Sequence, residues 1–235
     1  MNQLTTCTPP PAKYQPKGLK IIHEDKDILV VDKPSGLLTV GSDHNKVHTV
    51  HALLNNYVRK GNPKARQRVY VVHRLDQATS GLLVFAKSMA AKTFLQENWD
   101  STEKHYMAIV HGHLTDKQGQ ITTYLAENSA KNVYSCIDPK KGKLSKTAYT
   151  VIRERKECSL LDIHLLTGRK HQIRVHFAER GHPVLGDPKY GSVADRAKRL
   201  LLHSKSLSFR HPFNKQLLTF VSPMPEDFVR IIGKG

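Results

Sequence analysis

Asp76 lies between two strongly apolar stretches of the sequence, residues 69–72 and 81–86. Both stretches predict strands, so Asp76 is expected at the mouth of a buried strand pair, where a carboxylate is costly unless it is paired or hydrogen-bonded. Such a group can serve as a nucleophile or a base. It can also close an Asx-type turn by accepting from the backbone of Ala78 or Thr79. Local physics alone favours the turn.

A second candidate group lies in residues 167–176, which end an alternating strand and open a predicted helix. Arg169, Lys170 and backbone N–H groups would stand at the helix N-terminus, an arrangement suited to a phosphate or a carboxylate. Arg174 follows one turn later between Ile173 and Val175, so its guanidinium is expected to point at a specific partner. A solvated basic face is an equally good interpretation of these residues alone.

Tyr106 lies on a predicted strand, where a tyrosine more often fills space than takes part in function. The 14 histidines suggest a metal site, but their spacing argues against one. His111 and His113 share a strand face without an acidic partner at ligand spacing, and His171 and His176 point apart on a helix. Neither a Gly-rich phosphate loop nor a nucleophile elbow is present. We therefore expect no metal and no cofactor.

Composition indicates the kind of partner. The chain has 235 residues, with 37 Lys and Arg against 20 Asp and Glu, a formal charge of +17. An excess of this size favours a polyanionic partner, although a basic surface can also serve solubility alone. No apolar run is long enough to span a membrane, and residues 1–18 lack the features of a signal peptide. The three cysteines are odd in number and far apart, so we expect a cytoplasmic protein without disulfides.

The predicted elements place these residues. Strands are predicted over 19–23, 28–32, 69–72, 81–86, 105–110, 120–124, 147–152, 159–166, 200–209 and 216–221. Helices are predicted over 49–57, 88–99 and 171–180, and residues 60–68 and 128–145 are expected to be loops. Many strands with few helices and no strict alternation predict an α+β fold with a mostly antiparallel sheet. Residues 1–18 are expected to form a flexible lead-in to a single domain over 19–235.

Several segments together resemble a family, the RluA-type pseudouridine synthases. The motif that carries most of the resemblance is His73-Arg74-Leu75-Asp76, followed by Ala78-Thr79-Ser80-Gly81-Leu82-Leu83. The similarity extends to four further segments: residues 32–37, 104–106, 167–176 and 181–187. It continues through Leu200-Leu201-Leu202-His203 and covers residues 19–221 in collinear order.

The resemblance implies a pseudouridine synthase fold with a central, mostly antiparallel sheet, flanking helices and a basic cleft. It also implies the isomerisation of uridines in structured RNA, in a stem-loop of large-subunit rRNA or of tRNA. The reaction needs no metal and no redox cofactor. Relatives often carry an N-terminal RNA-binding module, for which residues 1–18 leave no room. We expect a short, monomeric form that finds its RNA through the catalytic domain.

The resemblance also implies roles for individual residues. Asp76 is the catalytic carboxylate, acting either as a nucleophile or as a base, and Arg174 favours its ionised form. The target nucleotide must be flipped out of the stack, and Arg74 fills the vacated space. The ring of Tyr106 and the side chain of Ile173 would contact the flipped uracil from opposite sides, with Tyr106 also able to take part in proton transfer. Contacts to RNA phosphates are expected for Arg169 and Lys170.

Two other functions remain open. The chain could be a non-catalytic RNA-binding or ribosome-assembly factor on the same fold, although the presence of Asp76, Tyr106 and Arg174 argues against this. It could instead be an unrelated hydrolase that uses Asp76 with His73, but the spacing supplies no nucleophile paired with a water-activating group.

Overall fold

The computed structural model describes residues 9–41, 48–191 and 197–233. The chain divides into two compact units. Unit 1 comprises Met1–Thr102 and Ser206–Ser222, and unit 2 comprises Glu103–Lys205 and Pro223–Gly235. The lead-in over residues 1–18 and the single domain over 19–235 stay predictions, and residues 1–8 lie outside the described part of the chain.

The secondary structure is dominated by strands. Within the described residues the strands are β1 (Lys20–Glu24), β2 (Ile28–Lys33), β3 (Tyr70–Val71), β4 (Ser80–Ala86), β5 (Glu103–His111), β6 (Gln118–Glu127), β7 (Val133–Cys136), β8 (Lys143–Arg155), β9 (Cys158–Leu165), β10 (Leu202–Arg210) and β11 (Leu217–Val221). The α-helices there are α1 (Val50–Val58), α2 (Met89–Glu97), α3 (Gln172–Glu179) and α4 (Glu226–Ile232). These elements confirm the predicted α+β class.

In unit 1, β4 lies between β2 and β10, and every residue of β4 is buried. This burial explains its continuous apolar sequence, which lacks the alternation of a half-exposed strand. The β2–β4 pairing is antiparallel, with Asp32 opposite Leu82 and Lys33 opposite Gly81. The core joins side chains of β2, β4, β10 and β11 with Ala91 and Leu95 of α2. Residues on both sides of the segment 73–79 are therefore held in a packed sheet.

In unit 2, the strands follow the order β5-β9-β8-β6-β7, and the pairs β5–β9, β8–β9, β6–β8 and β6–β7 are antiparallel. One core cluster packs Phe228 and Ile232 of α4 on Ile109 and Leu160. A second packs Val175 of α3 on residues of β6 and β7. Helix α3 therefore has a fixed position on the sheet that contains β5.

The prediction of a loop over residues 128–145 is wrong, because it contains β7 and the first residues of β8. β7 has only four residues, and the segments before and after it are polar, so its strand formers Val133 and Tyr134 make too short a run to predict a strand. Pairing with β6, where Leu125 lies opposite Ser135, supplies the backbone partners that local sequence does not reveal.

Helix α4 was not predicted from the sequence. Its start carries Glu226 and Asp227 after Pro225, which is a recognisable helix N-terminus, and Phe228 and Ile232 share its buried face. With seven residues the helix is too short for periodicity to identify it. No helix in the described residues combines the length and apolar character needed to cross a membrane.

Candidate active site

Asp76 lies in the connection between β3 and β4, immediately before the most deeply buried strand of unit 1. Its carboxylate-bearing side chain is half-buried, and Arg74, two residues earlier, is exposed. The turn that carries Asp76 is closed through the main chain, because Thr79 N–H donates to the Asp76 carbonyl oxygen at 3.1 Å. A turn is therefore present at this position and is closed by a main-chain acceptor, while the Asx-type closure through the Asp76 side chain stays a prediction.

Lys33 supports this turn from the end of β2. Its side chain is fully buried, and Nζ donates to three carbonyl oxygens: Pro34 at 3.0 Å, Leu37 at 2.8 Å and Gln77 at 2.9 Å. An ammonium group has three N–H donors, so these acceptors match its full donor capacity. A buried charge is tolerable only with such partners. Lys33 thus connects the residue after Asp76 to the segment 33–37.

Further hydrogen bonds hold the turn on both sides of Asp76. Ser35 Oγ donates to Ala78 O at 2.6 Å, and Gly36 N–H donates to Gln77 O at 2.9 Å. Gly36 has a φ of +88°, a conformation that favours glycine. On the other side, Thr39 Oγ1 donates to Leu75 O at 2.9 Å and accepts from Leu75 N–H at 3.2 Å. The backbone around Asp76 is therefore fixed by residues more than 30 positions away in the chain.

His73 is engaged in the packing of the same region. Its ring stacks on Trp99 with a centroid distance of 4.3 Å, and Nε2 accepts from Val84 N–H at 3.1 Å. A nitrogen that accepts from a backbone N–H offers its lone pair to that donor and is not placed to take a proton from water. This contact argues against a hydrolase in which His73 assists Asp76.

In unit 2, Tyr106 occupies the middle of β5 and is 7% exposed. Lys104, Tyr106 and Ala108 alternate as the buried face of the strand. Tyr106 lies opposite Ile163 of β9, while the neighbouring pair His105 and His164 stack at 4.6 Å. The strand therefore gives the Tyr106 ring a defined position in unit 2.

Arg174 forms a buried bidentate ion pair with Asp187. Nε donates to Oδ2 at 2.7 Å and Nη2 donates to Oδ1 at 2.8 Å, and the two residues are 6% and 5% exposed. The guanidinium carbon also lies 5.2 Å from the ring centroid of Tyr190, within cation–π range. The guanidinium of Arg174 thus has a specific partner within unit 2, Asp187, to which the sequence assigned no role, and its effect on Asp76 stays a prediction.

Asp187 is well adapted to hold this guanidinium. Burial alone would raise the pKa of the Asp187 carboxyl, but the hydrogen bonds and charge of Arg174 lower it, as do the N–H groups of Lys189 and Tyr190. Their distances to Oδ1 are 2.9 and 3.1 Å. Gly186 precedes Asp187 with a φ of +72°, and a Cβ there would lie 1.8 Å from the carbonyl oxygen of Arg199. Only glycine fits this close approach to the main chain of Arg199, directly before Asp187.

The start of α3 carries the other predicted residues. Ile173 is buried beside Arg174, and the αL conformation of His171, with φ 54°, precedes the helix. Lys170 forms an ion pair with Glu127 and lowers the pKa of that carboxyl, and Arg169 Nε donates to Leu144 O at 3.2 Å. Both cations remain at the protein surface.

The predicted residues therefore fall into two groups. Arg74 and Asp76 lie on one turn of unit 1. Tyr106, Ile173 and Arg174 are held by β5 and α3 of unit 2, with Arg169 and Lys170 in the preceding loop. Sequence reasoning noted the segments 32–37 and 181–187 but gave no role to Lys33 or Asp187. The sequence feature that could have indicated these two residues is a charged residue next to a glycine-containing turn, which occurs in both segments.

One group in unit 1, Asp25, Asp27 and His211, has the donor types of a metal site. Asp25 Oδ1 already accepts from the N–H groups of Asp27 and Ile28, both at 2.8 Å. Asp25 Oδ2 lies 2.8 Å from His23 Nε2 and 3.2 Å from His211 Nε2. Burial would raise the pKa of Asp25, yet the His23 contact and these N–H groups lower it well below its usual value. These contacts fit a structural hydrogen-bonded cluster better than a metal ligand set.

Comparisons of the sequence with known proteins all point to the same family. The sequence profile of the RNA pseudouridylate synthases matches residues 27–179. A protein of Nitrosomonas europaea, ribosomal large subunit pseudouridine synthase D, is 36% identical over 91% of this chain. The chain spans 64% of that relative, a little under two thirds of its length. The dual-specificity RNA pseudouridine synthase RluA of Pasteurella multocida is 34% identical, over 94% of this chain and 98% of the relative.

Solved structures agree in fold. Human RNA pseudouridylate synthase domain containing 4 superposes with a TM-score of 0.74 at 23% identity, covering 89% of this chain and 90% of the human one. Human RNA pseudouridylate synthase domain containing 1 gives a TM-score of 0.67 at 29% identity, covering 87% and 83%. The first of these supports the fold alone, and both agree with the predicted α+β architecture.

Proposed function

Because the chain belongs to the family of RNA pseudouridine synthases, we propose that it isomerises specific uridines in a structured RNA with Asp76 as the catalytic carboxylate. The proposed RNA is a stem-loop of large-subunit rRNA or of tRNA. The observation that carries the assignment of Asp76 is the turn in which it lies. Lys33, Ser35, Gly36 and Thr39 fix the backbone on both sides of a half-buried carboxylate, which is the preorganisation that a reacting group requires.

The proposed reaction breaks the bond between uracil N1 and ribose C1′, turns the base, and joins C1′ to C5. The proton on C5 leaves to solvent, and N1 gains a proton, so atoms and electrons balance without a redox partner. Asp76 either attacks the sugar and is later released, or removes a ribose proton. Both routes need the ionised carboxylate close to the flipped nucleotide.

Roles for the remaining residues are part of the same proposal. The Arg174 guanidinium would stabilise the Asp76 carboxylate, with Asp187 setting its orientation. Tyr106 would stack on the flipped uracil and Ile173 would pack against it. Base stacking on an aromatic ring contributes about 1–3 kcal/mol, enough to offset part of the unstacking. Arg74, exposed beside Asp76, would occupy the space that the base leaves, and Arg169 and Lys170 would contact phosphates.

The substitution Asp76→Asn tests the proposal. The amide is nearly isosteric and the turn is closed by the main chain, so the variant is expected to fold. It can be neither nucleophile nor base, so tritium release from RNA labelled at uridine C5 should become undetectable. RNA affinity, measured on the same preparation, should stay within about threefold, because phosphate contacts dominate it. The matched control is Asp116→Asn, an exposed aspartate of unit 2.

Near-normal turnover by Asp76→Asn would remove Asp76 from the chemistry. A wild-type protein that binds RNA but releases no tritium from any rRNA or tRNA would favour the non-catalytic binding factor. Mapping pseudouridines in cellular RNA with and without the protein identifies the uridine. Monomeric state and cytoplasmic location are also proposed, and light scattering and cell fractionation test them.

A further inference from the structure

A groove of about 1170 Å³ lies in unit 1, away from the Asp76 turn in sequence. It is lined by the N-terminal segment, by helix α1 with the loop that follows, and by the β1–β2 turn. Its basic and aromatic lining residues include Tyr14, Lys17, Lys26, Tyr57, Lys60 and Arg68. The groove is partly open to solvent.

The N-terminal wall of the groove is held in place. Residues Ala12–Tyr14 form a 3-10 turn, and Gln15 Nε2 donates to Pro10 O at 2.7 Å. Gln15 Oε1 accepts from Ile21 N–H of β1 at 2.8 Å. These bonds attach the segment before β1 to the sheet of unit 1. The wall of the groove formed by residues 10–17 is therefore fixed to unit 1 by hydrogen bonds.

The charge of the groove is strongly positive. Its acidic residue Glu24 is matched by Lys87 Nζ at 2.8 Å and by the Tyr57 hydroxyl, which donates to it at 2.7 Å. Lys17, Lys26, Lys60 and Arg68 are exposed, and no ion pair joins any of them to another described residue. Exposed cations that form no ion pairs repel one another, and a polyanion relieves that repulsion.

The groove also offers an aromatic surface. The Tyr14 side chain is 61% exposed, and the ammonium of Lys13 lies 4.9 Å from its ring centroid. An exposed ring among cations is the combination by which proteins bind single-stranded nucleic acid without sequence preference, since every base can stack and every nucleotide carries a phosphate. A soluble acidic protein would use the cations but not the ring.

A smaller cavity of about 220 Å³ connects the groove to the support of the Asp76 turn. It shares Lys17 and Leu53 with the groove and is also lined by Ser35 and Gly36. Ser35 and Gly36 are the residues that hydrogen-bond to Ala78 and Gln77, next to Asp76. The groove and the smaller cavity are therefore neighbours in unit 1, and the smaller cavity is bordered by residues that support the Asp76 turn.

From these observations we propose that the groove binds a single-stranded RNA segment that flanks the modified stem-loop. The proposal rests on the proposed function for the nature of the RNA and assigns a second RNA-binding surface outside the site of reaction. Phosphates contact Lys17, Lys26, Lys60 and Arg68, and one base stacks on Tyr14. The surface increases affinity and does not take part in the chemical step.

The experiment compares two RNA probes, a stem-loop from large-subunit rRNA and the same stem-loop with a uridine-free single-stranded extension. The double variant Lys60→Gln/Arg68→Gln removes two groove cations. Its matched control, Lys156→Gln/Arg230→Gln, removes the same charges from exposed positions of unit 2, and Lys156 shares the positive φ of Lys60. Affinities are measured over a series of salt concentrations, and kcat is measured at saturating RNA.

The wild-type protein should bind the extended RNA more tightly than the stem-loop, and the groove variant should lose this gain. For the groove variant on the extended RNA, the slope of log K against log salt should become less steep by about 1.4. Each single-strand phosphate contact contributes about 0.7 to this slope, and the variant loses two contacts. Tyr14→Ala should weaken binding of the extended RNA by at least about fivefold without changing the salt slope. kcat should be unchanged in all variants, and the control should keep the gain.

Equal losses in the groove variant and the control would overturn the proposal in favour of a diffuse charge effect. A fall in kcat at saturating RNA, with the gain retained, would overturn it too. Failure of the proposed function has a different signature, because the wild-type protein would release no tritium while the groove variant still lost the affinity gain.

Discussion

At the scale of single residues, the bidentate contact of Arg174 with Asp187 can be tested by a substitution that keeps the charge. Arg174→Lys keeps the charge but loses the planar fork that binds Asp187 through Nε and Nη2. A misplaced group at a reacting centre can lower the rate by about 10²-fold, so we expect a loss of kcat of that order with RNA affinity changed by less than about threefold. Single-turnover kinetics and equilibrium binding measure the two.

The matched control for this prediction is Arg169→Lys, which changes an arginine five positions earlier at the protein surface. It should leave kcat nearly unchanged. Equal losses of rate and affinity in Arg174→Lys would make Arg174 a phosphate contact, contrary to the role proposed for it.

His176 makes stability depend on pH. It lies between Thr123 and Thr147, both at 2.9 Å, and burial lowers its pKa to about 4. Between about pH 6.5 and pH 4 the unfolded chain binds a proton that the folded chain does not. Stability therefore falls as pH falls through this window, by up to about 3 kcal/mol for this group. Urea unfolding at several pH values measures the loss.

His176→Gln should reduce that pH dependence, and His113→Gln, at an exposed position, should not. Burial also lowers the pKa of His164, so part of the dependence should remain in the variant. Asp25 and Asp187 affect stability in a separate, more acidic pH range. Because their pKa values are lowered in the folded protein, each loses its contribution to the free energy of unfolding only as pH falls below the ordinary pKa of an aspartate. An unaltered slope between pH 6.5 and pH 4 in His176→Gln would contradict the assignment.

At the scale of elements, the segment 33–37 and the turn 75–78 form one hydrogen-bonded unit through Lys33. Lys33→Met removes the ammonium donor from the buried contact with the Leu37 carbonyl, whereas the Gln77 carbonyl keeps the N–H of Gly36. A buried polar group that loses its partner costs about 1–3 kcal/mol, so we expect a loss of that size in the free energy of unfolding. The exposed Lys20→Met on β1 is the control and should change it by less than about 0.5 kcal/mol. Denaturant unfolding with fluorescence detection measures both.

These elements also show how far the sequence could predict the structure. Some elements can be predicted from a short stretch of sequence. Examples are the continuous apolar run of β4 and the capped helix α1, where Thr49 accepts from Ala52 N–H. The position of Asp76 between two such runs marks it as a candidate, but only the resemblance to the family implies its catalytic role. The contact of Lys33 with Gln77 joins residues 44 apart, and a single sequence contains no local signal for it. The same holds for β7, whose strand conformation depends on pairing with β6.

At the scale of the whole molecule, the proposed reaction should not require a bound metal. Its chemistry needs a carboxylate and a guanidinium, and Asp25 in the metal-like group of unit 1 already accepts two backbone N–H groups. Tritium release is expected to be the same within about twofold with and without EDTA, once the RNA is folded in monovalent salt. Activity that EDTA removes and zinc alone restores would overturn this expectation.

The net charge of +17 is a property of the whole chain, and it predicts how RNA binding responds to salt. Each single-strand phosphate that a Lys or Arg neutralises releases condensed counterions, so the slope of log K against log salt is about −0.7 per contact. The exposed cations of the groove give four such contacts, and Arg169 and Lys170 could add two. We expect a slope between about −3 and −4 on a stem-loop with a single-stranded extension. Affinity that is indifferent to salt between dilute and physiological buffer would show that the positive charge serves solubility and does not bind RNA.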